Sequence, residues 1–393
     1  MEDFIRYATV FLLLWGAGGC ADAENPTSDL DGDTGGDDAG GPDAGDFDTG
    51  GSTLPVLDTL DAGWNEIAPG GDTMCARGEP FAFYVRPGTV NKLVVDFFGG
   101  GACWDEVSCA ESSDTFYFFD TLDPFRGFVL DGALLGGTTI DAGIYDHARD
   151  DNPFKEWHHV LVPYCTGDIH WGDNRMDYGS VQVEHRGAVN ARAVLSWIYD
   201  NLLAPEQIFV TGCSAGSYGA ALWSAYLMAH YPSAQVIQFG DSGAGVATEE
   251  FFLKYFPVWN AESAYPDWIP ALDPADRNIR YPDIYIGIAD YYPNNFMSEF
   301  NYTYDGAQYF YYEMVNGGDL ETMSEEMLAS LDTIEEGAAN FASFVPAGEG
   351  HCILVFDRFY TVTAGGKTLL SWINELLAEG TVKSVRETGD KAQ

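Results

Sequence analysis

"QIFVTGCSAGSYGAALWSAYL", residues 207–227, joins an apolar run, a glycine-containing turn and a helix-like stretch without interruption. The residues before Gly212 have the character of a strand covered on both faces, and those after Gly216 have the character of a helix. A Gly-x-Ser-x-Gly motif between a strand and a helix is typical of a nucleophile elbow, which would project Ser214 above a sheet. In a glycine-rich chain the motif also arises by chance, so an ordinary strand-to-helix turn is the alternative.

Strands and helices alternate on both sides of this turn. "FAFYVR" (81–86) and "KLVVDFF" (92–98) are separated by a Pro-Gly turn and predict a hairpin. Further strands are predicted at 158–165, 235–239, 283–288 and 341–346, and helices at 187–203, 214–230 and 367–377. This order predicts an α/β-hydrolase-like sandwich with a mostly parallel central sheet. Residues 249–280 fit no sheet element and are expected to cap the carboxyl edge of the sheet.

Acyl transfer by a serine needs a base and an acid that orients the base, and in this fold class both follow the serine in the chain. Only His230 and His351 follow Ser214. His230 ends the predicted helix and would point away from the turn that carries Ser214. His351 follows the last predicted strand, in a glycine-containing loop. His351 is therefore the predicted base. Asp290 and Asp305 both satisfy the order for the acid, and the pattern does not separate them.

Two other glycine-containing segments complete the predicted site. "DFFGGGACW" (96–104) places three glycines after a strand, where their amides could bind an oxyanion together with the amide of Ala215. A plain glycine turn would look similar. "GDSG" (240–243) resembles the nucleophile string of serine proteases, but no double β-barrel pattern surrounds it. We interpret Asp241 and Ser242 as a loop that lines or braces the pocket.

Six cysteines remain after Cys20 is set aside, and an even number in an exported chain predicts three disulfides. Cys213 precedes Ser214 and Cys352 follows His351, so a bond between them would join the loops of nucleophile and base. Cys103 with Cys109 would close a small loop beside the glycines, which leaves Cys75 with Cys165. Free thiols are the alternative, and no Cys/His spacing indicates a zinc site.

The chain carries a formal charge of −43. Residues 1–52 hold one Arg and twelve acidic residues, so residues 53–393 carry 17 basic and 49 acidic residues, a net charge of −32. Such a surface repels phosphate backbones, which excludes nucleic acid as a predicted partner. Residues 21–50 contain nine Asp and seven Gly without any Lys, Arg or His, as expected of a disordered tether. The alternation in "DLDGDT" (29–34) occurs in calcium loops, but the bidentate Glu of those loops is missing.

The amino terminus predicts export. Residues 4–19 are apolar, too short to span a bilayer comfortably, and end in small residues before Cys20. They resemble a bacterial lipobox, in which the cysteine is lipidated, although Ala17 stands where leucine is usual and acidic residues precede the apolar run. A secretory signal and a retained anchor are the alternatives.

The predicted organisation follows from these segments: a signal peptide (1–19), a disordered linker (20–55) and one catalytic domain (56–393). The protein is expected in the cell envelope, lipid-anchored through Cys20, or secreted.

Six separated motifs, "GGGACW", "PYCTGD", "GCSAG", "GDSG", "YDGAQ" and "GHC", come in the order found in the pectin acetylesterase and Notum family. The chain resembles the bacterial branch of that family from about Gly63 onward. The resemblance implies Ser214 as nucleophile, His351 as base and Asp305 as acid. It also implies that Gly100, Gly101 and Ala215 supply the oxyanion amides. Neither a metal nor an organic cofactor is then expected.

The resemblance leaves the substrate open. Pectin is a polyanion that an acidic domain repels, so a neutral acylated glycan or a small acyl ester is favoured. The aromatic stretches at 251–259 and 309–314 could contact a sugar or an acyl chain, or could belong to the core. A Cys-Ser paired with a His-Cys is also similar to tannases and feruloyl esterases, the second family considered. A glycan-binding lipoprotein without activity is the alternative from another functional class.

Overall fold

A computed structural model describes residues 54–110 and 119–387 of the chain. The signal peptide, Cys20 and nearly all of the linker lie outside the described residues and stay predictions. Among the described residues, none of the helices combines the length and the apolar character needed to cross a bilayer.

Thirteen strands and seven α-helices occur in the described residues. The strands are β1 (Asn65–Ile67), β2 (Phe83–Arg86), β3 (Lys92–Phe97), β4 (His158–Val162), β5 (Asn174–Asp177), β6 (Gln182–His185), β7 (Gln207–Cys213), β8 (Gln235–Asp241), β9 (Met297–Phe300), β10 (Phe341–Val345), β11 (Thr363–Ala364), β12 (Lys367–Thr368) and β13 (Val385–Arg386). The helices are α1 (Asp123–Asp131), α2 (Gly187–Asn201), α3 (Ala215–His230), α4 (Tyr281–Tyr291), α5 (Gly306–Met314), α6 (Leu320–Gly337) and α7 (Leu369–Glu379).

Nine of the strands form one sheet in the order β1-β2-β4-β3-β7-β8-β9-β10-β13. The pairs β1-β2 and β2-β4 are antiparallel, and the pairs from β4 to β13 are parallel. This is the predicted α/β-hydrolase-like architecture with a mostly parallel central sheet. Because neighbouring parallel strands end at the same edge, the loops after β3, β7, β8, β9 and β10 meet there. All the predicted catalytic and oxyanion residues lie in these loops or in the helices that follow them.

The predicted hairpin between residues 81–86 and 92–98 is wrong, because β4 lies between β2 and β3. Tyr84 of β2 pairs with Leu161 of β4 in antiparallel register, and Val95 of β3 pairs with Val160 in parallel register. Four of the five residues of β4 are buried, as expected of a strand with a partner on each side. A short connection between two strands favours pairing but cannot exclude a later strand that inserts between them.

The strand predicted at 283–288 is also wrong, because these residues lie in helix α4. Ile284, Tyr285 and Ile288 are buried on one face at helical spacing. The helix begins with an acidic residue in its first turn, where Asp283 accepts the amide of Arg280 at 2.8 Å. The strand that follows β8 in the sheet is instead β9, which contains the buried Glu299 and lacks an alternating pattern.

Residues 249–280 form short π and 3-10 helical turns, without a strand, and five of their aromatic residues line a cavity at the carboxyl edge of the sheet. This agrees with the predicted position of the segment. The strands predicted at 158–165, 207–211, 235–239 and 341–346 correspond to β4, β7, β8 and β10.

Candidate active site

Ser214 occupies the turn between β7 and α3 in a strained conformation. Its φ of 57° and ψ of −122° are rarely adopted by residues other than glycine. Two backbone hydrogen bonds hold the turn: Ser214 N donates to Asp241 O at 2.7 Å, and Ser217 N donates to Ser214 O at 2.9 Å. A side chain on Gly216 would collide with the carbonyl of Phe97, so only glycine permits α3 to start this close to β3. The turn directs the Ser214 side chain into the cavity.

His351 and Asp305 are in direct contact. His351 Nδ1 lies 2.8 Å from Asp305 Oδ2 and 3.0 Å from Oδ1, and the aspartate side chain is completely buried. Asp305 precedes α5 and caps it by accepting the amides of Ala307 and Gln308 at 2.9 and 3.0 Å. Because a carboxylate only accepts hydrogen bonds, Nδ1 carries the proton and Nε2 is left with its lone pair in the neutral imidazole. Both His351 and Ser214 line the same cavity.

The electrostatic surroundings make His351 a stronger base than a free imidazole. Burial lowers the pKa of His351, but the charge and hydrogen bond of Asp305 raise it, and the charge of Asp241 adds to this. The net result is a pKa above the ordinary value. Asp290, the other candidate acid, lies exposed in the last turn of α4. His230 stacks on Tyr199 with 3.6 Å between ring centroids, at the far end of α3.

Asp241 and Ser242 brace the loop that carries His351. The buried Asp241 carboxylate accepts the amides of Ile353 and Leu354 at 2.8 and 2.9 Å, and Ser242 Oγ accepts the amide of Cys352 at 2.9 Å. Burial raises the pKa of Asp241 to about 6, although these amide donors stabilise its ionised form. Since the carbonyl of Asp241 also binds the amide of Ser214, one residue connects both loops.

The structure contains the three disulfides paired in the sequence analysis. Cys213 and Cys352 join the two loops with 5.6 Å between their Cα atoms, across 139 positions of sequence. The other bonds are Cys75 to Cys165 and Cys103 to Cys109. Two groups of Cys and His come within ligand distance of one another in the described residues, one at Cys103, Cys109 and His185 and one at Cys213, His351 and Cys352. The cysteines of both groups are disulfide-bonded and therefore offer no thiolate to a metal.

Of the three predicted oxyanion residues, Gly101 and Ala215 line the cavity beside Ser214. The position where a side chain would begin on Gly100 faces the rings of Phe119 and Tyr164. The assignment of these amides to an oxyanion site stays a prediction.

His170 is a residue that sequence reasoning missed. Its Nε2 donates to the carbonyl of Phe98 at 2.9 Å, immediately before the glycine loop, and its ring packs against Gly219 of α3. Burial lowers the pKa of His170 to about 4, partly offset by this hydrogen bond, so the ring is neutral at pH 7. His170 has a positive φ of 65°, and its neighbour Ile169 one of 55°. The residue lies in "PYCTGDIHW", in which a lone histidine gives no signal of such a contact.

The cavity has a volume of about 120 Å³ and mostly apolar walls. Its aromatic lining comes from the loops after β3 and β4, from helices α3, α4 and α5 and from residues 249–280: Trp104, Trp171, Tyr218, Phe251, Phe252, Phe256, Trp259, Tyr265, Tyr281 and Tyr311. The aromatic stretches at 251–259 and 309–314 therefore supply cavity walls, although Phe256 and Trp259 are also part of the core.

Comparison with known proteins agrees with this fold. The sequence pattern of the pectinacetylesterase family matches residues 67–259. No curated protein sequence gives a significant match. Two crystal forms of the Drosophila Wnt deacylase Notum have similar folds: one is 19% identical with a TM-score of 0.59, covering 86% of this chain and 98% of Notum, and the other is 18% identical with a TM-score of 0.60, covering 84% and 97%. Residues 67–259 of the chain thus match the pectinacetylesterase family, and the protein is a serine esterase.

Proposed function

We propose that Ser214, His351 and Asp305 form the catalytic triad of a carboxylic-ester hydrolase. The contact between His351 Nδ1 and Asp305 at 2.8 Å, in a cavity that Ser214 also lines, is the observation that carries this proposal. The disulfide from Cys213 to Cys352 supports it, because it joins the residues adjacent to the proposed nucleophile and base. A histidine held by a buried carboxylate beside a serine in a strained turn is the constellation that acyl transfer requires.

In the proposed reaction, Ser214 Oγ attacks the ester carbonyl while His351 Nε2 takes its proton. The oxyanion of the tetrahedral intermediate accepts hydrogen bonds from the amides of Gly101 and Ala215. His351 then gives the proton to the leaving alcohol, which departs and leaves an acyl-serine. Water attacks the acyl-serine while His351 takes its proton, and His351 returns the proton to Ser214 Oγ as the carboxylic acid is released.

The acyl group of the proposed substrate is apolar and larger than acetyl. A cavity with ten aromatic residues in its lining offers more apolar surface than an acetyl group can cover, and burial of each methylene contributes about 0.8 kcal/mol. This corresponds to about a fourfold increase in kcat/KM for each methylene until the cavity is filled. The similar fold of a protein described as a Wnt deacylase supports the removal of an acyl group.

The family match favours a second candidate, the removal of acetyl groups from a glycan. An anionic polysaccharide is disfavoured in both cases, because residues 53–393 carry a net charge of −32 from 17 basic and 49 acidic residues. Turnover of acetylated xylan and of pectin at matched ester concentrations separates the glycan deacetylase from the esterase with an apolar acyl preference.

The test uses the wild-type protein and Ser214→Ala with p-nitrophenyl esters from acetate to decanoate. We expect Ser214→Ala to lose activity by at least about 10³-fold and to lose labelling by a fluorophosphonate probe. Ser217→Ala is no suitable control because its hydroxyl binds Glu299, whereas the exposed Ser180 can be replaced without effect. Labelling that persists in Ser214→Ala would disprove the assignment, and a wild-type protein that is never labelled would favour a glycan-binding protein.

The place of action is outside the reducing cytosol, as three disulfides and the family indicate. We propose attachment to the cell envelope through a lipid on Cys20, with the acidic linker as tether. Metabolic labelling with an alkyne fatty acid, lost in Cys20→Ser, tests this attachment.

A further inference from the structure

The carboxylate of Asp305 has a side-chain partner besides His351. Its Oδ1 accepts the backbone amides of Ala307 and Gln308, which is ordinary capping of α5. Its Oδ2, the oxygen nearer to His351, accepts the side-chain amide of Gln308 at 3.0 Å. Gln308 is thus in contact with the carboxylate oxygen that holds His351 Nδ1.

The sequence D-G-A-Q (305–308) has the spacing of a capping box, yet Gln308 does not make the hydrogen bond that defines this motif. In a capping box the third residue reaches back to the backbone amide of the capping residue. Gln308 Nε2 instead binds the Asp305 carboxylate and also Asn301 Oδ1 at 2.9 Å. Helix capping therefore does not account for the glutamine.

The orientation of the Gln308 amide is determined by its three contacts. Its Oε1 accepts the backbone amide of Ala244 at 3.1 Å, so the NH₂ group faces Asp305 and Asn301, and each of them accepts one proton. A 180° rotation would place the carbonyl oxygen against two acceptors and leave the amide of Ala244 facing a donor. The rotated amide would lose all three hydrogen bonds, and this cost favours the observed orientation.

The chain of hydrogen bonds continues to the helix of the nucleophile. Asn301 Nδ2 donates to Glu299 Oε2 at 3.1 Å, and Glu299 Oε1 accepts from Ser217 Oγ at 2.7 Å and from the hydroxyl of Tyr285. Ser217 lies in the first turn of α3, where its amide binds the carbonyl of Ser214. Asn301, Glu299 and Ser217 are all fully buried, so water cannot replace a lost partner.

We propose that Gln308 is a positioning residue for Asp305, and that Asn301 and Glu299 hold Gln308 in place from the side of α3. This inference rests on the proposed function, in which Asp305 orients the base. Gln308 fixes the rotation of the carboxylate, so that Oδ2 stays in line with His351 Nδ1. The hydrogen bond from Gln308 also stabilises part of the negative charge on the Asp305 carboxylate. This limits how far Asp305 raises the pKa of His351.

The main variant is Gln308→Met, which keeps the length of the side chain and removes its hydrogen bonds. We expect kcat to fall by about 10- to 100-fold, as misplacement of a reacting group by about 1 Å does, with KM within about twofold of the wild-type value. Without the Gln308 donor, the unshared charge of Asp305 raises the pKa of His351, so the acidic limb of kcat/KM moves to higher pH. Gln182→Met, at an exposed glutamine of β6, is the matched control, and we expect it to change neither kcat nor the acidic limb of kcat/KM.

A double-variant cycle tests the chain of hydrogen bonds from Asn301 through Gln308 to Asp305. If Asn301 acts through Gln308, the double variant Asn301→Ala with Gln308→Met loses no more kcat than Gln308→Met alone, whereas independent residues would multiply their losses. Circular dichroism and the midpoint of thermal unfolding show whether each variant folds. Should Gln308→Met unfold, Gln308→Glu replaces it, and its kcat is expected to fall as pH rises and two carboxylates face each other.

The outcomes separate the inference from the function on which it rests. A Gln308→Met variant with unchanged kcat and an unchanged pH limb overturns the positioning role while the Ser214→Ala result still stands. A rise of KM alone also overturns it, because Gln308 would then contact the substrate from the cavity wall. Activity that survives in Ser214→Ala overturns the proposed function itself.

Discussion

At the scale of single residues, the site depends on side chains and backbones held in arrangements that are unfavourable in isolation. Ser214 and Ser242 have φ values of 57° and 66°, and Cys352 has one of 55°, outside the regions that non-glycine residues prefer. Each lies next to a hydrogen bond or a disulfide that joins the loops of Ser214 and His351. Strain of this kind persists only where surrounding contacts outweigh it.

Asp305→Asn provides the residue-scale prediction. In the wild type we expect the acidic limb of kcat/KM to lie above about pH 6.5, the ordinary histidine pKa, because Asp305 and Asp241 together outweigh the effect of burial on His351. Activity is lost below this pKa, since a protonated imidazole cannot accept the serine proton. In Asp305→Asn the charge that raises the pKa of His351 is gone, while burial still lowers this pKa, so the acidic limb of kcat/KM should move to lower pH. We also expect kcat to fall by about 10⁴-fold.

A pH-rate profile between pH 4 and 9 with a neutral ester measures both effects. Asp290→Asn, at the exposed acid in α4, is the control and should match the wild type. A limb that stays in place in Asp305→Asn would show that another group sets the pKa of His351.

At the scale of elements, the segment of residues 249–280 forms one wall of the cavity. It consists of short π and 3-10 turns, and it contributes Phe251, Phe252, Phe256 and Trp259 to the cavity wall. Arg280 at its end binds Glu249 at its start, with 2.7 Å between Nη2 and Oε1, and its guanidinium lies 4.8 Å from the centre of the Phe252 ring. These contacts close the segment on itself above the sheet.

Ala247→Trp tests the assignment of this cavity to the acyl group. Ala247 is half-buried in the loop after β8 and lines the cavity, so an indole at this position would fill part of the space. We expect kcat/KM for the decanoate ester to fall by at least about tenfold, while the acetate ester is turned over almost as in the wild type. Ala247→Ser, which adds little volume, is the control. Equal losses for both esters would place the acyl group elsewhere.

At the scale of the whole molecule, the parallel sheet gathers residues that are far apart in sequence, and disulfides hold the assembly. The bond from Cys213 to Cys352 spans 139 positions, and the bond from Cys103 to Cys109 spans six. In the chain-entropy account, a cross-link stabilises by restricting the unfolded chain, and more so for a long loop. The long-range bond therefore contributes both to stability and to the alignment of the proposed triad.

Removal of this bond in Cys213→Ala with Cys352→Ala should lower the free energy of unfolding by about 5 kcal/mol, against about 2 kcal/mol for the short loop of Cys103 and Cys109. The long-range variant should also lose activity in the fraction that stays folded, because Ser214 and His351 are no longer tied. Urea unfolding of the two double variants, with kcat measured in parallel, checks this. A larger loss of stability for the short loop would contradict the entropic argument.

The local sequence around Ser214 was enough to predict the turn and its flanking elements, since strand, turn and helix signals are all short-range. The positions of Cys213 and Cys352 also predicted their bond, because both flank a catalytic candidate. The sequence did not predict that β4 inserts between β2 and β3 or that residues 283–288 are helical. Pairing partners are far apart in the chain, and an apolar run of six residues satisfies a helix or a strand equally well.

The sequence by itself determined the class of the fold and the candidate nucleophile and base, because these depend on patterns within a few residues. The residue pattern left Asp290 and Asp305 open, the family resemblance implied Asp305, and in the structure Asp305 contacts His351. Only the tertiary structure decided that Gln308, Asn301 and Glu299 connect this aspartate to the helix after Ser214. The reason is that a hydrogen bond depends on distance in space. The sheet brings together at one edge the ends of strands whose separation in sequence carries no trace of their contact.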